Sequence, residues 1–121
     1  MRIEHAALFV SDLNTARDFF VRYLGGVSDE GYLNPTTGFR SHFLSFDGDA
    51  RLELMVEPGA IPCPGYGHIA FCLGSRAAVD ELTARLQNDG YSVVSGPRIT
   101  GDGYYESCVA AFDGYLVELT V

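Results

Sequence analysis

Basic charge is scarce in this chain: eight Lys plus Arg residues stand against sixteen Asp plus Glu, a formal net charge of −8. That balance argues against a nucleic-acid partner, whose phosphates would be repelled. A strongly anionic small molecule would need a metal ion or a local arginine to offset the field. No apolar run approaches the length a membrane span requires. The opening Met1-Arg2-Ile3-Glu4 lacks the apolar stretch of a signal peptide, which makes the cytoplasm the expected compartment. Cysteine is sparse too. Cys63, Cys72 and Cys108 are odd in number and match no zinc-binding spacing, so they read as free thiols in a reducing environment. What remains is an ordinary globular composition, 47% apolar over 121 residues, enough to bury the core of one domain.

Against that plain background, four residues form a pattern. Ile3-Glu4-His5-Ala6-Ala7-Leu8-Phe9 and Leu52-Glu53-Leu54 are echoed by Tyr66-Gly67-His68-Ile69-Ala70-Phe71 and Val117-Glu118-Leu119. The His-to-His offset is 63 residues and the Glu-to-Glu offset is 65, as expected of a duplicated half with a small insertion. Two imidazoles and two carboxylates placed equivalently by an internal repeat make a donor set for a divalent ion of mixed N/O preference. A single Glu between two leucines is usually just the wet face of a strand. Its recurrence with a His in both halves is what points to a metal.

The rest of the chain supports two similar halves. Residues 3–10 alternate as a strand. Ser11-Asp12 offers an N-cap, and Leu13, Ala16, Phe19, Phe20, Tyr23 and Leu24 follow at helical spacing until Gly25-Gly26. Strands are expected near 27–33, 39–46 and 50–57, with turns at Asn34-Pro35 and Asp47-Gly48. The proline- and glycine-rich stretch 58–65 reads as a linker. The second half repeats the order: a strand from His68 to Leu73, then a Ser75-capped helix with Ala78, Val79, Leu82 and Leu86 as its buried stripe, ending at Asp89-Gly90. Strands near 91–95, 104–112 and 115–121 complete it, with Asp113-Gly114 as the last hairpin turn. The expected fold is α+β: one domain over residues 1–121, built of two tandem βαβββ modules, about 1–57 and 66–121, with curved mixed sheets.

Residue parity assigns faces. His5, Glu53, His68 and Glu118 all fall opposite the apolar positions that would pack on the helices. With curved sheets these faces would line a metal-binding groove. Phe9 and Met55 share parity with His5 and Glu53 and would give that groove an apolar, substrate-binding wall. The Gly101-Asp102-Gly103 turn reads as a mobile rim. His42 has no counterpart in the repeat and reads as structural or surface. Asp12, Asp29, Glu30, Asp80, Glu81 and Asp89 read as hydrated charge at helix ends, helix surfaces and turns.

At these residues the chain resembles the vicinal oxygen chelate superfamily, and within it the small bacterial glyoxalase I (lactoylglutathione lyase) proteins. The likeness runs from the His5 strand through Gly67-His68-Ile69-Ala70-Phe71 to Phe112-Asp113-Gly114-Tyr115-Leu116-Val117-Glu118-Leu119. Thr100-Gly101-Asp102-Gly103-Tyr104-Tyr105-Glu106-Ser107 also looks like a segment of short members. The resemblance implies paired βαβββ modules, a homodimer, and a divalent ion (nickel, cobalt, zinc or manganese) on His5, Glu53, His68 and Glu118. In some relatives those ligands come from one chain and in others they are shared across the dimer. It also implies a small-molecule substrate with two adjacent oxygens and a proton moved between neighbouring carbons, with Glu118 as the base and Glu53 as the second proton-handling group.

Glu53 itself favours the glyoxalase type over relatives that carry Gln there or use three protein ligands. Two positions depart from glutathione-using relatives: Phe9 stands where an Arg is common, and Glu57 where an Asn is common. Arg40, Arg51 or Arg98 could replace the missing anion contacts. The thiol co-substrate is thus open between glutathione, another thiol, or a small hydroxy-carbonyl compound with none. The alternatives to a lyase are a metal-independent binding or resistance protein of the same superfamily, and a different metal-dependent reaction on the same site, such as epimerisation or dioxygen-dependent ring cleavage.

Overall fold

Two short polar side chains start the helices. Asp12 accepts the Thr15 N–H at 2.7 Å and Ser75 accepts the Ala78 N–H at 3.2 Å, each meeting a backbone donor that a helix start leaves unpaired. Gly25, at φ +67°, closes the first helix in the left-handed conformation that glycine adopts without steric cost. The computed structural model describes every residue from Met1 to Val121.

Two compact units make up the chain. The first, Met1–Cys63, runs β1 (His5–Phe9), α1 (Leu13–Leu24), β2 (Val27–Ser28), β3 (Tyr32–Leu33), β4 (Arg40–Ser45) and β5 (Arg51–Val56). The second, Pro64–Val121, runs β6 (His68–Cys72), α2 (Arg76–Asn88), β7 (Ser92–Ile99), β8 (Tyr105–Ala110) and β9 (Leu116–Thr120). Their sheets have the same plan. In the first the order is β1-β5-β4-β2, with β3 also on β4; in the second it is β6-β9-β8-β7. The first and last strands of each unit pair in parallel and the remaining pairs are antiparallel. The expected α+β architecture of two βαβββ modules with mixed sheets is present. No helix is long and apolar enough to cross a membrane.

Each helix covers one sheet face. Leu13, Ala16, Phe19, Phe20 and Tyr23 of α1 are buried with Leu44, Leu52 and Leu54; Val79 and Leu86 of α2 are buried with Val109, Val117 and Leu119. Each large apolar side chain removed from water contributes about 1.5–3 kcal/mol. These two small cores therefore set which sheet face points inward. The β8–β9 turn has Asp113 at φ +52° and Gly114 at φ +78°, the paired positive angles that a tight hairpin needs and that Asp-Gly tolerates.

Two expected strands differ in extent. The segment expected as one strand over 27–33 is broken into β2 and β3, because Asp29 redirects it. Its carboxylate accepts the N–H of Gly31 at 3.0 Å and of Phe43 at 3.2 Å, and lies 3.1 Å from His42 Nδ1, so side-chain bonds replace ladder bonds. Asp29 is thus a structural anchor and not the merely hydrated charge its turn position suggested. The strand expected at 91–95 continues to Ile99 across two register shifts.

Thr83 on α2 donates to the Val79 carbonyl at 2.6 Å, so the 2.6 Å contact with Ser107 must use the Ser107 hydrogen. Both side chains are sealed in the core. Thr83→Val should strand the Ser107 hydroxyl and cost about 1–3 kcal/mol in denaturant unfolding, and adding Ser107→Ala should recover most of it. Thr15 and Asn14 N–H groups hold the Asp12 carboxyl below its ordinary value. A folded-state pKa lower than the unfolded one stabilises above the unfolded value and is lost as pH falls through the folded one. The Tm deficit of Asp12→Ala should therefore shrink below about pH 4, the ordinary aspartate range.

Candidate functional site

Glu53 lies on β5 between Leu52 and Leu54, and Glu118 on β9 between Val117 and Leu119; all four flanking residues are buried. Side chains alternate along a strand, so burying the neighbours turns each carboxylate to the face away from the helix. Parallel pairing then sets the reach. Ala7 is opposite Glu53 and Ala70 opposite Glu118, which places His5 and His68 two residues away on the same faces with only a methyl group between. His5 Nε2 is 3.8 Å from Glu53 Oε2, and His68 Nε2 is 3.1 Å from Glu118 Oε2. Exposure repeats as well: the imidazoles are 41% and 48% exposed, the carboxylates 15% and 18%. Each unit thus presents a deep carboxylate under a rim imidazole.

The donors suit a divalent ion. With bonds of about 2.0–2.2 Å, neighbouring N and O ligands of one ion lie roughly 2.9–3.5 Å apart. His68 and Glu118 already meet that spacing, and His5 and Glu53 need only a small side-chain rotation. Within each unit the donors come as a pair, and no three or more His, Cys, Asp or Glu side chains are arranged to hold a metal ion. One pair leaves a divalent ion short of the three or four protein ligands such sites use.

The setting of the two pairs differs. In the first unit Glu4 binds His5 Nδ1 and also Arg51. With Nδ1 engaged by Glu4, Nε2 is the ring nitrogen on the Glu53 side, the orientation a ligating histidine takes when a carboxylate backs it. The His5 and Arg51 contacts hold the Glu4 carboxyl below the usual carboxylate range. Phe43, opposite Glu53 on β4, meets the His5 ring edge-on at 5.5 Å and lies under the Arg51 guanidinium at 4.2 Å. In the second unit Cys108 occupies the position opposite Glu118. Burial, then the Glu106 charge, push the Glu118 carboxyl above its ordinary value against the pull of His68. Burial, Glu118 and Glu106 raise the Cys108 thiol, so it is no activated nucleophile.

Phe9 and Met55 are direct partners across β1 and β5, part-buried and one pleat beyond Ala7 and Glu53 on the same face. His42 is opposite Leu54, on the face turned away from Glu53. Its side chain is 12% exposed and its Nδ1 meets Asp29 and, at 3.2 Å, Ser28. Of the arginines weighed from sequence, Arg51 is held by Glu4, and Arg98 reaches Glu106 at 3.5 Å. Arg40 lines a separate cleft of about 220 Å³ with Leu13, Asn14, Tyr32, Leu33 and His42. Glu4, Phe43 and Glu106 were missed from sequence. Glu4 could have been found as the neighbour of His5. Phe43 and Glu106 become visible through strand register.

The sequence profile of the Glyoxalase/Bleomycin resistance protein/Dioxygenase superfamily matches residues 2–119. The uncharacterised protein YqjT of Bacillus subtilis (strain 168) is 31% identical over 124 residues, spanning 97% of this chain and 96% of that one. A possible glyoxalase from Bacillus cereus shares the fold with a TM-score of 0.76 and 26% identity, over 100% of this chain and 99% of that one. The trypanothione-dependent glyoxalase I of Leishmania major superposes with a TM-score of 0.80 at 25% identity, over 99% of this chain and 86% of that one.

Gly31 sits at φ +89°, and a Cβ there would lie 2.7 Å from His42 Cε1. Gly31→Ala should therefore destabilise the protein by about 1–3 kcal/mol. It should leave metal stoichiometry unchanged when bound ions are counted, since His42 faces away from the Glu53 side.

Proposed function

The chain belongs to the Glyoxalase/Bleomycin resistance protein/Dioxygenase superfamily, and on that premise we propose that it is a divalent-metal-dependent lyase or isomerase of the glyoxalase I type. The observation that carries this reading is the duplicated His–Glu pair, equal in register and similar in burial in the two units. In this reading His5, Glu53, His68 and Glu118 are the ligand set, and the working protein is a homodimer.

A bound nickel, cobalt, zinc or manganese ion would supply Lewis-acid stabilisation of the charge that develops on two neighbouring substrate oxygens. The protein's part is proton handling and placement. Glu118 takes the proton from the carbon that bears the sulfur, and the adjacent carbonyl carbon gains one, with Glu53 as the second proton-handling group. A hemithioacetal of a 2-oxoaldehyde thereby becomes a 2-hydroxy thioester with no atom gained or lost. Glu4 backs the His5 ring at Nδ1 and so orients Nε2 for ligation. Phe9 and Met55, with Phe43 beside them, give the substrate an apolar wall and limit water at the reacting carbons. A thiol adduct is the substrate class this reading names, and glutathione is one member of it. The second reading, a metal-independent binding protein of the same superfamily, uses the same faces to hold a small molecule without chemistry.

Metal counting separates the two. Protein stripped with chelator and dialysed against nickel, cobalt, zinc or manganese should retain about one ion per chain, the number a four-ligand set implies. Retention should be lost in His5→Ala and His68→Ala. Glu118→Gln should stay folded and lose turnover of hemithioacetals by at least about a hundredfold, the usual worth of a positioned base. No retained ion would leave the binding-protein reading. An active Glu118→Gln would remove the base from Glu118.

A further inference from the structure

The chain has no lysine, and all eight of its basic side chains are arginines. One arginine lies near each His–Glu pair, and in both cases a glutamate already holds it. Arg51, two residues before Glu53 on β5 and so on the same face, is bound by Glu4, and its guanidinium lies over the Phe43 ring. Arg98 on β7 reaches Glu106 at 3.5 Å. The Glu106 side chain, 16% exposed, points to the same face as Glu118, because positions 106, 108 and 110 of β8 pair with 120, 118 and 116 of β9. Asp102 adds a further negative charge within electrostatic reach of Glu118. The remaining polar positions on that face of β6 and β9, Cys72 and Thr120, are uncharged or weakly acidic. Neither ligand-bearing face therefore offers an uncompensated cation to a substrate, and the second carries a surplus of carboxylate.

An anionic group brought to such a face meets repulsion from Glu106 and Asp102 and finds no arginine free to fork onto it. A neutral tail meets no penalty, and an ammonium tail is attracted. We infer that the substrate's tail, the part carried by the thiol, is neutral or cationic, and that Glu106 is the residue that sets this preference. The inference rests on the metal-dependent reading above and narrows its substrate class to thiols that carry no carboxylate near the reacting carbons.

The test uses metal-loaded protein and two readouts. Equilibrium binding is measured by calorimetry with three hydroxamates of similar length, each presenting the same pair of adjacent oxygens: butyrohydroxamate, β-alanine hydroxamate and succinate monohydroxamate. Succinate monohydroxamate should bind about tenfold more weakly than butyrohydroxamate at low salt. β-Alanine hydroxamate should bind at least as well as butyrohydroxamate. The spread should contract as salt is raised. Glu106→Gln keeps the side chain's size, removes one charge and leaves Arg98 without its partner. It should improve succinate monohydroxamate by about threefold or more relative to butyrohydroxamate. Equal or tighter binding of the anionic tail, or a Glu106→Gln variant with an unchanged ratio, overturns the assignment.

Turnover of methylglyoxal hemithioacetals of 3-mercaptopropionate, 2-mercaptoethanol and cysteamine reads the reaction separately. No product from any of them, with the binding order intact, removes the lyase reading and keeps the charge preference. Fastest turnover of the 3-mercaptopropionate adduct removes the charge preference and keeps the lyase. If none of the hydroxamates binds, both fall.

Discussion

Burial of one side of β5 and β9 is the constraint on which the rest of the site depends. Leu52 and Leu54 are buried with α1 and Leu44, and Val117 and Leu119 with α2 and Val109, because each small unit has one core and these strands supply a large share of it. Glu53 and Glu118 are then turned outward as a geometric consequence, and a one-residue slip in either strand would bury a carboxylate and expose two large apolar groups. Parallel pairing with β1 and β6 adds the imidazole at a fixed offset, and the intervening Ala7 and Ala70 are small enough not to obstruct it. Position and reach of the candidate ligands thus come from the same packing that holds each unit together.

The duplication is close in the scaffold and loose in the surroundings. By register, Phe43 corresponds to Cys108, Phe9 to Cys72, Met55 to Thr120 and Ser41 to Glu106. The first ligand face is therefore aromatic and apolar, with its one arginine stacked and neutralised. The second is polar, acidic and lined by thiols. The carboxylate that burial and Glu106 push upward is on the second, more acidic of these faces.

The helix-facing sides show the same divergence. His42 and Ser107 correspond by register, each a polar group opposite a buried leucine. Ser107 is answered by Thr83 from α2, whereas His42 is answered by Asp29, the residue that breaks the first unit's second strand in two. A polar side chain on a core face needs a partner. The two units found theirs in different elements, and the strand break and the cleft beside Arg40 lie where the first of them did.

The sequence by itself determined the repeat, the helices with their Asp12, Ser75 and Gly25 caps, the Asp113-Gly114 hairpin and the outward parity of His5, Glu53, His68 and Glu118. These follow from local rules of period, capping and turn chemistry, which act within a few residues along the chain. Tertiary structure decided what stands beside those side chains. Glu106 comes near Glu118 through β8–β9 register, Phe43 reaches His5 across β5, and Arg51 is claimed by Glu4, 47 positions earlier and just before β1. Asp29 read as hydrated charge and His42 as structural or surface, and strand pairing decided for the structural role by bringing them together. Contacts of that kind are set by which strands pair and in what register. Pairing is a property of the whole unit's packing, and no short stretch of residues encodes it.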